Sequence, residues 1–387
     1  MVVLLAGGQS APQPLAARRG NMMINLADPQ AIRRALSDQA LTQMAGQPIG
    51  CHYLRVKPGT SVWGEISGDF GDGLGRGWLY VHADPLKANK FRQRAERYGL
   101  PLLALGSGAI MGSMALDPVL HRGWRVLRRR LSGEATTGWS LLKYRPGRRM
   151  VLRVEERHGG SVLVRVLARC TPAYAAVVRL VHQAGLGAAL QRMDTRHHIV
   201  SLQWLEGETA GSVPAERLEE SLFAAARLHA LHADGLDLPH YDASWFAQTL
   251  AQAERTLCWL LPTLRHQVRR LAERLPAAVA DSLRRSPGLV HGDFSADQIV
   301  WHARRRPRLI DVDRAGYGQP VMDIGSLLAV EMLQGDLRSL PALPYPALSA
   351  WVAYALLQRA AEPYRYGDEN WQDALQARIQ QAWAVLE

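Results

Sequence analysis

The chain has 387 residues, enough for two or three domains with ample core. Hydrophobic residues make up 48% and charged residues 21%, a globular balance, and no run approaches the roughly 18 apolar residues of a membrane span. The formal charge of +11 admits a polyanionic or phosphate-rich partner. Its arginines, however, fall in short scattered clusters such as Arg128-Arg129-Arg130 and Arg304-Arg305-Arg306, without the interleaved aromatics of a nucleic-acid stacking platform, so nucleic acid ranks last among partners.

The opening MVVLLAGG lacks a basic n-region, and its apolar run is shorter than the roughly 7 to 15 residues of a signal h-region, so a cytoplasmic location is expected. Cys51, Cys170 and Cys258 form no CxxC pair and suggest neither a disulfide framework nor a zinc cluster. The only lysines are Lys57, Lys87, Lys90 and Lys143, so any chemistry beyond residue 143 proceeds without lysine.

Residues 1–27 read as a loose N-terminus. Asp28-Pro29 then has the form of an N-cap with proline at the first helical position, which predicts a helix to about residue 45. A β pattern follows: YLRVKPGTSVWGEI, the turn GDFGDGLGRG, and WLYVHAD, before a helix over about 86–98. The glycine-rich turn lacks EF-hand spacing and reads as a hairpin connection rather than a calcium loop. Together, residues 28–130 form a β/α cap-like region.

Over 131–207 the pattern recurs: WSLLKYRPGRRMVLRVE, the turn RHGG, SVLVRVLAR, and a helix from Pro172 to about Gln183. Lys57-Pro58-Gly59 and Arg145-Pro146-Gly147 suggest a duplicated hairpin-plus-helix unit, although chance similarity accounts for them as well. HHIVSLQWL reads as a strand that Glu206-Gly207-Glu208 breaks. From 208 to 387 the spacing is helical, over ERLEESLFAAARLHALHAD, about 243–285 and about 345–387, with one β-hairpin inside. The predicted class is α+β in two lobes, a β-rich small lobe and a helical large lobe behind an N-terminal β/α extension.

That hairpin holds the chemistry. HGDFSADQIV at 291–300 crowds His291, Asp293, Asp297 and Gln298 between apolar runs. Strands at 299–303 and 308–310 around a turn centred on Arg304-Arg305 would set Gln298 opposite Asp311. Two carboxylates and an amide at one edge suit Mg²⁺, which prefers one or two carboxylates plus substrate phosphates. Asp293 is placed to accept a proton from an attacking hydroxyl. Each has a plainer reading: Asp293 as a turn cap, Asp313 as a salt-bridge partner of Arg314, Arg165 as a solvated strand residue, His229 and His232 as packing or surface residues. Trp124, Trp139 and Trp204 suit either core or an apolar, sugar-binding cleft.

At these residues the chain resembles the aminoglycoside phosphotransferase and choline kinase family, with its protein-kinase-like fold. The carrying pattern is His-x-Asp, four residues, an amide, a hairpin and Ile310-Asp311, followed by Gly318-Gln319-Pro320-Val321-Met322-Asp323. The resemblance covers about 138–385 and implies phosphoryl transfer from ATP with Mg²⁺ to a small-molecule hydroxyl, sugar-like or aminoglycoside-like. By position it implies that Asp293 is the catalytic base, that His291 orders its loop, and that Asp311, Gln298 and Asp313 are metal ligands. It makes Asp323 a structural brace. Gln203-Trp204-Leu205-Glu206-Gly207 is similar to the family's interlobe hinge, which sets Trp204 and Glu206 at the nucleotide. Glutamine at the amide position and an N-terminal cap are similar to the family's maltose kinases.

Departures lie in the small lobe. The lysine that the family carries on SVLVRVLAR is absent, and Arg165 takes its position; arginine can hold phosphate oxygens in a bidentate fork. Thr171 to Leu190 contains no acidic residue to pair with it, and no GxGxxG loop is present, Gly147 with Arg148-Arg149 being the nearest substitute. A pseudokinase or binding module of the same fold therefore stands beside the kinase reading, and a salt-sensitive anion binder behind both.

Overall fold

The computed structural model describes residues 24–97, 102–105, 108–133, 136–211, 213 and 217–387. Residues 1–23 of the expected loose N-terminus lie outside them. The chain divides into two units. The first takes the described residues up to Cys170 with Arg192–Ser201 and Tyr364–Glu369, and the second takes Thr171–Gln191, Leu202–Pro363 and Asn370–Glu387.

The first unit opens on α1 (Pro29–Ala35), capped where the sequence predicts: Asp28 accepts the Gln30 N–H at 2.8 Å, and Pro29 occupies the first turn. The single helix expected to residue 45 is two helices. Ser37 interrupts it and caps α2 (Asp38–Ala45) by accepting the Ala40 N–H at 3.2 Å, giving the backbone a second start.

Two five-stranded sheets follow. The first runs in the order β1-β2-β3-β5-β4, with β1 at Gly50–Lys57, β2 at Ser61–Ser67, β3 at Arg76–His82, β4 at Leu102–Ala104 and β5 at Ala109–Ser113. The second repeats that order as β6-β7-β8-β10-β9, with β6 at Thr136–Arg145, β7 at Arg149–Glu156, β8 at Ser161–Leu167, β9 at Leu190–Asp194 and β10 at Ile199–Gln203. In each, the third strand is followed along the chain by a helix, α3 (Pro85–Arg97) and, after α4 (His121–Leu131), α5 (Pro172–Gln183). The Pro-Gly anchors close the two first hairpins in the same way. Thr60 N–H donates to Lys57 C=O and Arg148 N–H to Arg145 C=O, both at 3.0 Å, while Gly59 and Gly147 take φ of +63° and +66°. The likeness of the anchors thus extends to the whole strand order.

Strand alternation builds one core between these sheets. Met150, Leu152 and Val154 of β7 and Val162, Val164 and Val166 of β8 bury against Trp78, Tyr80 and Ile110 of the first sheet and Trp124 and Leu127 of α4. Each large apolar side chain there contributes roughly 1.5–3 kcal/mol. Asp117, fully buried, ties the second hairpin turn to this body: it accepts Val119 N–H, Leu120 N–H, Tyr144 O–H and Gly147 N–H at 2.9, 3.0, 2.8 and 2.7 Å. Trp124 and Trp139 are core residues, their rings 5.6 Å apart edge to face.

The second unit is helical: α5, α6 (Leu218–His229), α7 (Ala243–Leu260), α8 (Arg265–Leu283), α9 (Pro320–Gln334), α10 (Leu348–Arg359), α11 (Glu362–Tyr366), partly shared with the first unit, and α12 (Trp371–Leu386). The continuous helix expected over 243–285 is broken because Leu261 leaves helical geometry ahead of Pro262. Between α8 and α9 lie two small antiparallel ribbons, β11 (Gly288–Val290) with β14 (Gly316–Gly318) and β12 (Ile299–His302) with β13 (Arg305–Leu309). No helix among the described residues is long and apolar enough to cross a membrane.

Candidate active site

The second unit builds the site from the loop after β11. His291 is wholly buried; its Nε2–H donates to Ile310 C=O at 2.8 Å, and its backbone N–H to Asp323 Oδ2 at 2.6 Å. Gly292 N–H donates to Asp323 Oδ1 at 3.0 Å, and His229 Nε2 adds a third bond at 3.0 Å. Asp323, near the start of α9, therefore clamps the loop and α6 together. His229 is a member of this network rather than a simple packing residue.

Gly292 takes φ of +79°, and a Cβ there would lie 2.3 Å from Arg314 C=O. Tyr241 O–H donates to the same carbonyl, and burial pushes its phenol up to about 12, so it stays a donor. The chain reverses at this glycine and presents Asp293, 41% exposed, on the surface of the unit. Two arginines bracket its carboxylate, Arg314 at 3.1 Å and Arg359 of α10 at 3.7 Å. Arg359 is itself held by Glu362 at 3.3 Å and Ser326 at 3.2 Å.

The ribbon fixes the other half. Ile299 pairs with Leu309, and Ile310 N–H donates to Gln298 C=O at 2.9 Å, so Gln298 stands opposite Ile310. The register is one residue from that expected, because the tight turn closes His302 on Arg305 and a bulge lies between Val300 and His302. Gln298 and Asp311 nevertheless sit at the same end of the ribbon. Asp311 adopts φ +64° and ψ 35°, a left-handed conformation uncommon outside glycine, and leads into a short 3-10 turn at Val312–Arg314 that carries exposed Asp313. Arg314 lies one residue after Asp313 and forms an ion pair with Asp293.

Trp204 and Glu206 follow β10 in the second unit, half-buried and exposed respectively. Glu208 and Trp301 exchange backbone bonds of 2.9 and 2.8 Å, which fastens this segment to β12. Gly207 permits the approach, since a Cβ there would lie 2.1 Å from Trp301 C=O. Arg165 belongs to the first unit, on β8 opposite Val151, and is 3% exposed, so it is no solvated strand residue. Sequence reasoning missed Arg314 and Arg359 as neighbours of Asp293. Arg314 had a signal, standing three residues after Asp311 in one turn; Arg359 had none, since only the packing of α10 brings it there.

Residues 127–337 match the phosphotransferase enzyme family, which is more than half of the chain. The chain belongs to that family. The phosphotransferase is also similar in structure to a thermostable mutant of aminoglycoside phosphotransferase APH(4)-Ia, solved in ternary complex with ADP and hygromycin B: 14% identity, TM-score 0.50, covering 68% of this chain and 97% of that one. A choline/ethanolamine kinase family protein from Mesorhizobium loti gives 16% identity, TM-score 0.49, and 68% and 95% coverage. A Plasmodium vivax ethanolamine kinase gives 9%, 0.48, and 76% and 94%. Among curated proteins the comparison finds no match. The α+β class and the protein-kinase-like fold read from the sequence both hold for this phosphotransferase.

Proposed function

We propose that this phosphotransferase transfers the terminal phosphoryl group of ATP, with Mg²⁺, to a hydroxyl of a sugar-like or aminoglycoside-like small molecule. The observation that carries the proposal is the convergence, within one unit, of Asp293 on a loop clamped by Asp323 with Gln298 and Asp311 at one end of a single ribbon. Asp293 is the base: half-exposed, it can meet an incoming hydroxyl and take its proton as the oxygen attacks. His291 holds the loop from inside by bonding the ribbon through Ile310.

The donor set fits magnesium. Asp311 offers a carboxylate and Gln298 an amide oxygen, while Asp313 on the next turn can add a second carboxylate; a hard cation of this kind completes its shell with water and phosphate oxygens. Bound Mg²⁺ would neutralise charge on the transferring phosphates. Arg314 and Arg359 supply further positive charge beside Asp293. Arg165, Trp204 and Glu206 are assigned to the nucleotide on the family resemblance.

Calorimetric titration of ATP into the protein, with and without Mg²⁺ and repeated on Asp311→Asn, tests the assignment. Binding that requires Mg²⁺ and is lost in the variant supports it. Equal binding without the metal, or none in any condition, overturns it and leaves the binding-module reading. Asp293→Ala is expected to lower transfer roughly 10²–10⁴-fold with nucleotide binding kept.

A further inference from the structure

We propose that the first unit contains a second, separate site that binds a phosphate-bearing small molecule. A cavity of about 300 Å³ lies between the start of α4, the end of β8 and the turn joining β9 to β10. Arg122 and Arg196 line it, both exposed, and neither has an ion-pair or hydrogen-bond partner among the described residues. His121, His197 and His198 line it as well, and no carboxylate does. Two guanidinium groups around one hollow, with no acid among the residues that line it, make it an electropositive basin, and the imidazoles add ring nitrogens to its wall.

The nearest acids are already committed. Asp117 is fully buried, and four donors from its own neighbourhood occupy it. Burial alone would raise the Asp194 carboxyl, but Arg130 at 2.7 Å and the His197 Nδ1 at 3.1 Å hold it at about 2, so its charge is balanced where it stands. The basin thus keeps its positive sign.

The walls are fixed before any ligand arrives. Gly123 lets α4 lie directly on the turn, since a Cβ there would meet His197 C=O and Val166 Cγ1 at 2.6 Å. His198 is held at φ +55°, with Leu167 N–H donating to its carbonyl at 2.9 Å. Its Nδ1 accepts the Cys170 N–H at 3.4 Å, which leaves the ring proton on Nε2 as a free donor. Leu167 adds an apolar wall. Arginine forks and a ring N–H match the oxygens of a tetrahedral phosphate, and the volume admits a phosphate with a small organic body.

The test is titration of inorganic phosphate into the full chain, without divalent metal so that Asp311 and Gln298 contribute nothing, comparing the natural protein with the Arg122→Ala/Arg196→Ala pair. Saturable binding that weakens at least roughly tenfold in the pair is expected. Should the pair disturb α4, Arg196→Ala alone, at an exposed turn position, is expected to weaken binding severalfold. Absence of saturable binding, or equal affinity in the variants, overturns the proposal.

Discussion

Asp323 accepts the backbone N–H of His291 at 2.6 Å, so the first turn of α9 carries the residue that opens the candidate catalytic loop. The same carboxylate takes Gly292 N–H and the His229 ring, and its side chain is 1% exposed. Replacing Asp323 with Ala would leave three buried donors unpaired and should cost about 3–5 kcal/mol of stability. Asp323→Asn should cost less, since its one amide oxygen can still serve part of the set. Urea unfolding midpoints of the two variants check this, and equal midpoints for Ala and the natural protein would refute the clamp.

Gly292→Ala is expected to destabilise the protein by about 2 kcal/mol or more, because alanine resists positive φ and its Cβ would press on Arg314 C=O, a backbone atom. Phosphoryl transfer should fall with it, since the same turn aims Asp293. A thermal melt and a transfer assay on one preparation separate the two effects. Unchanged values in both would show that the loop can relax.

Glu331 of α9 gives stability a pH dependence. Burial pushes its carboxyl up to about 7, opposed by the Val213 N–H that Oε2 accepts at 2.8 Å and reinforced by Asp336. A raised carboxyl means that the fold favours the protonated form. Below the ordinary value of 4.5 both folded and unfolded chains hold that proton, and no penalty exists. As pH rises from there to about 7, the unfolded chain releases it first, so this group's contribution to stability falls, then levels off. Glu331→Gln should remove that slope, gaining up to roughly 3 kcal/mol at pH 8 relative to pH 4. Denaturant unfolding at both values, variant against natural chain, measures it; parallel curves would exclude the effect.

Asp117 should prove the equivalent support in the first unit. Asp117→Ala removes the acceptor of Gly147 N–H and Tyr144 O–H and of two further backbone donors, at a cost of about 3–5 kcal/mol. Hydrogen exchange locates the damage: protection at Gly147 should drop further than protection across β7 and β8. A uniform drop would mean that Asp117 serves the whole core instead.

Local signals in the sequence were enough for most of the elements and for placing the candidate residues in one loop and one ribbon. The Asp28-Pro29 cap, the two Pro-Gly hairpins and the helix opening at Pro172 depend on contacts within a few residues, and all appear where spacing sets them. The motif at 291–311 was legible for the same reason: its parts lie within one loop and one ribbon, so every nearby register brings Gln298 and Asp311 to one end. What failed were choices between nearly equal local alternatives. Ser37 could continue a helix or cap a new one, and the ribbon's turn could close on either of two adjacent pairs, differences that propensity leaves near zero and packing decides.

Tertiary structure alone decided the rest. Arg359 reaches Asp293 from α10 across 66 positions of chain, His229 finds Asp323 across 94, and Glu331 finds Val213 across 118. The basic cavity likewise draws on α4, β8 and the β9–β10 turn. No periodicity encodes such pairs, because a side chain's distant neighbours are set by how helices and sheets pack, and packing depends on all of them at once. The sequence by itself drew the candidate residues into one motif; the packed fold determined which charges surround them.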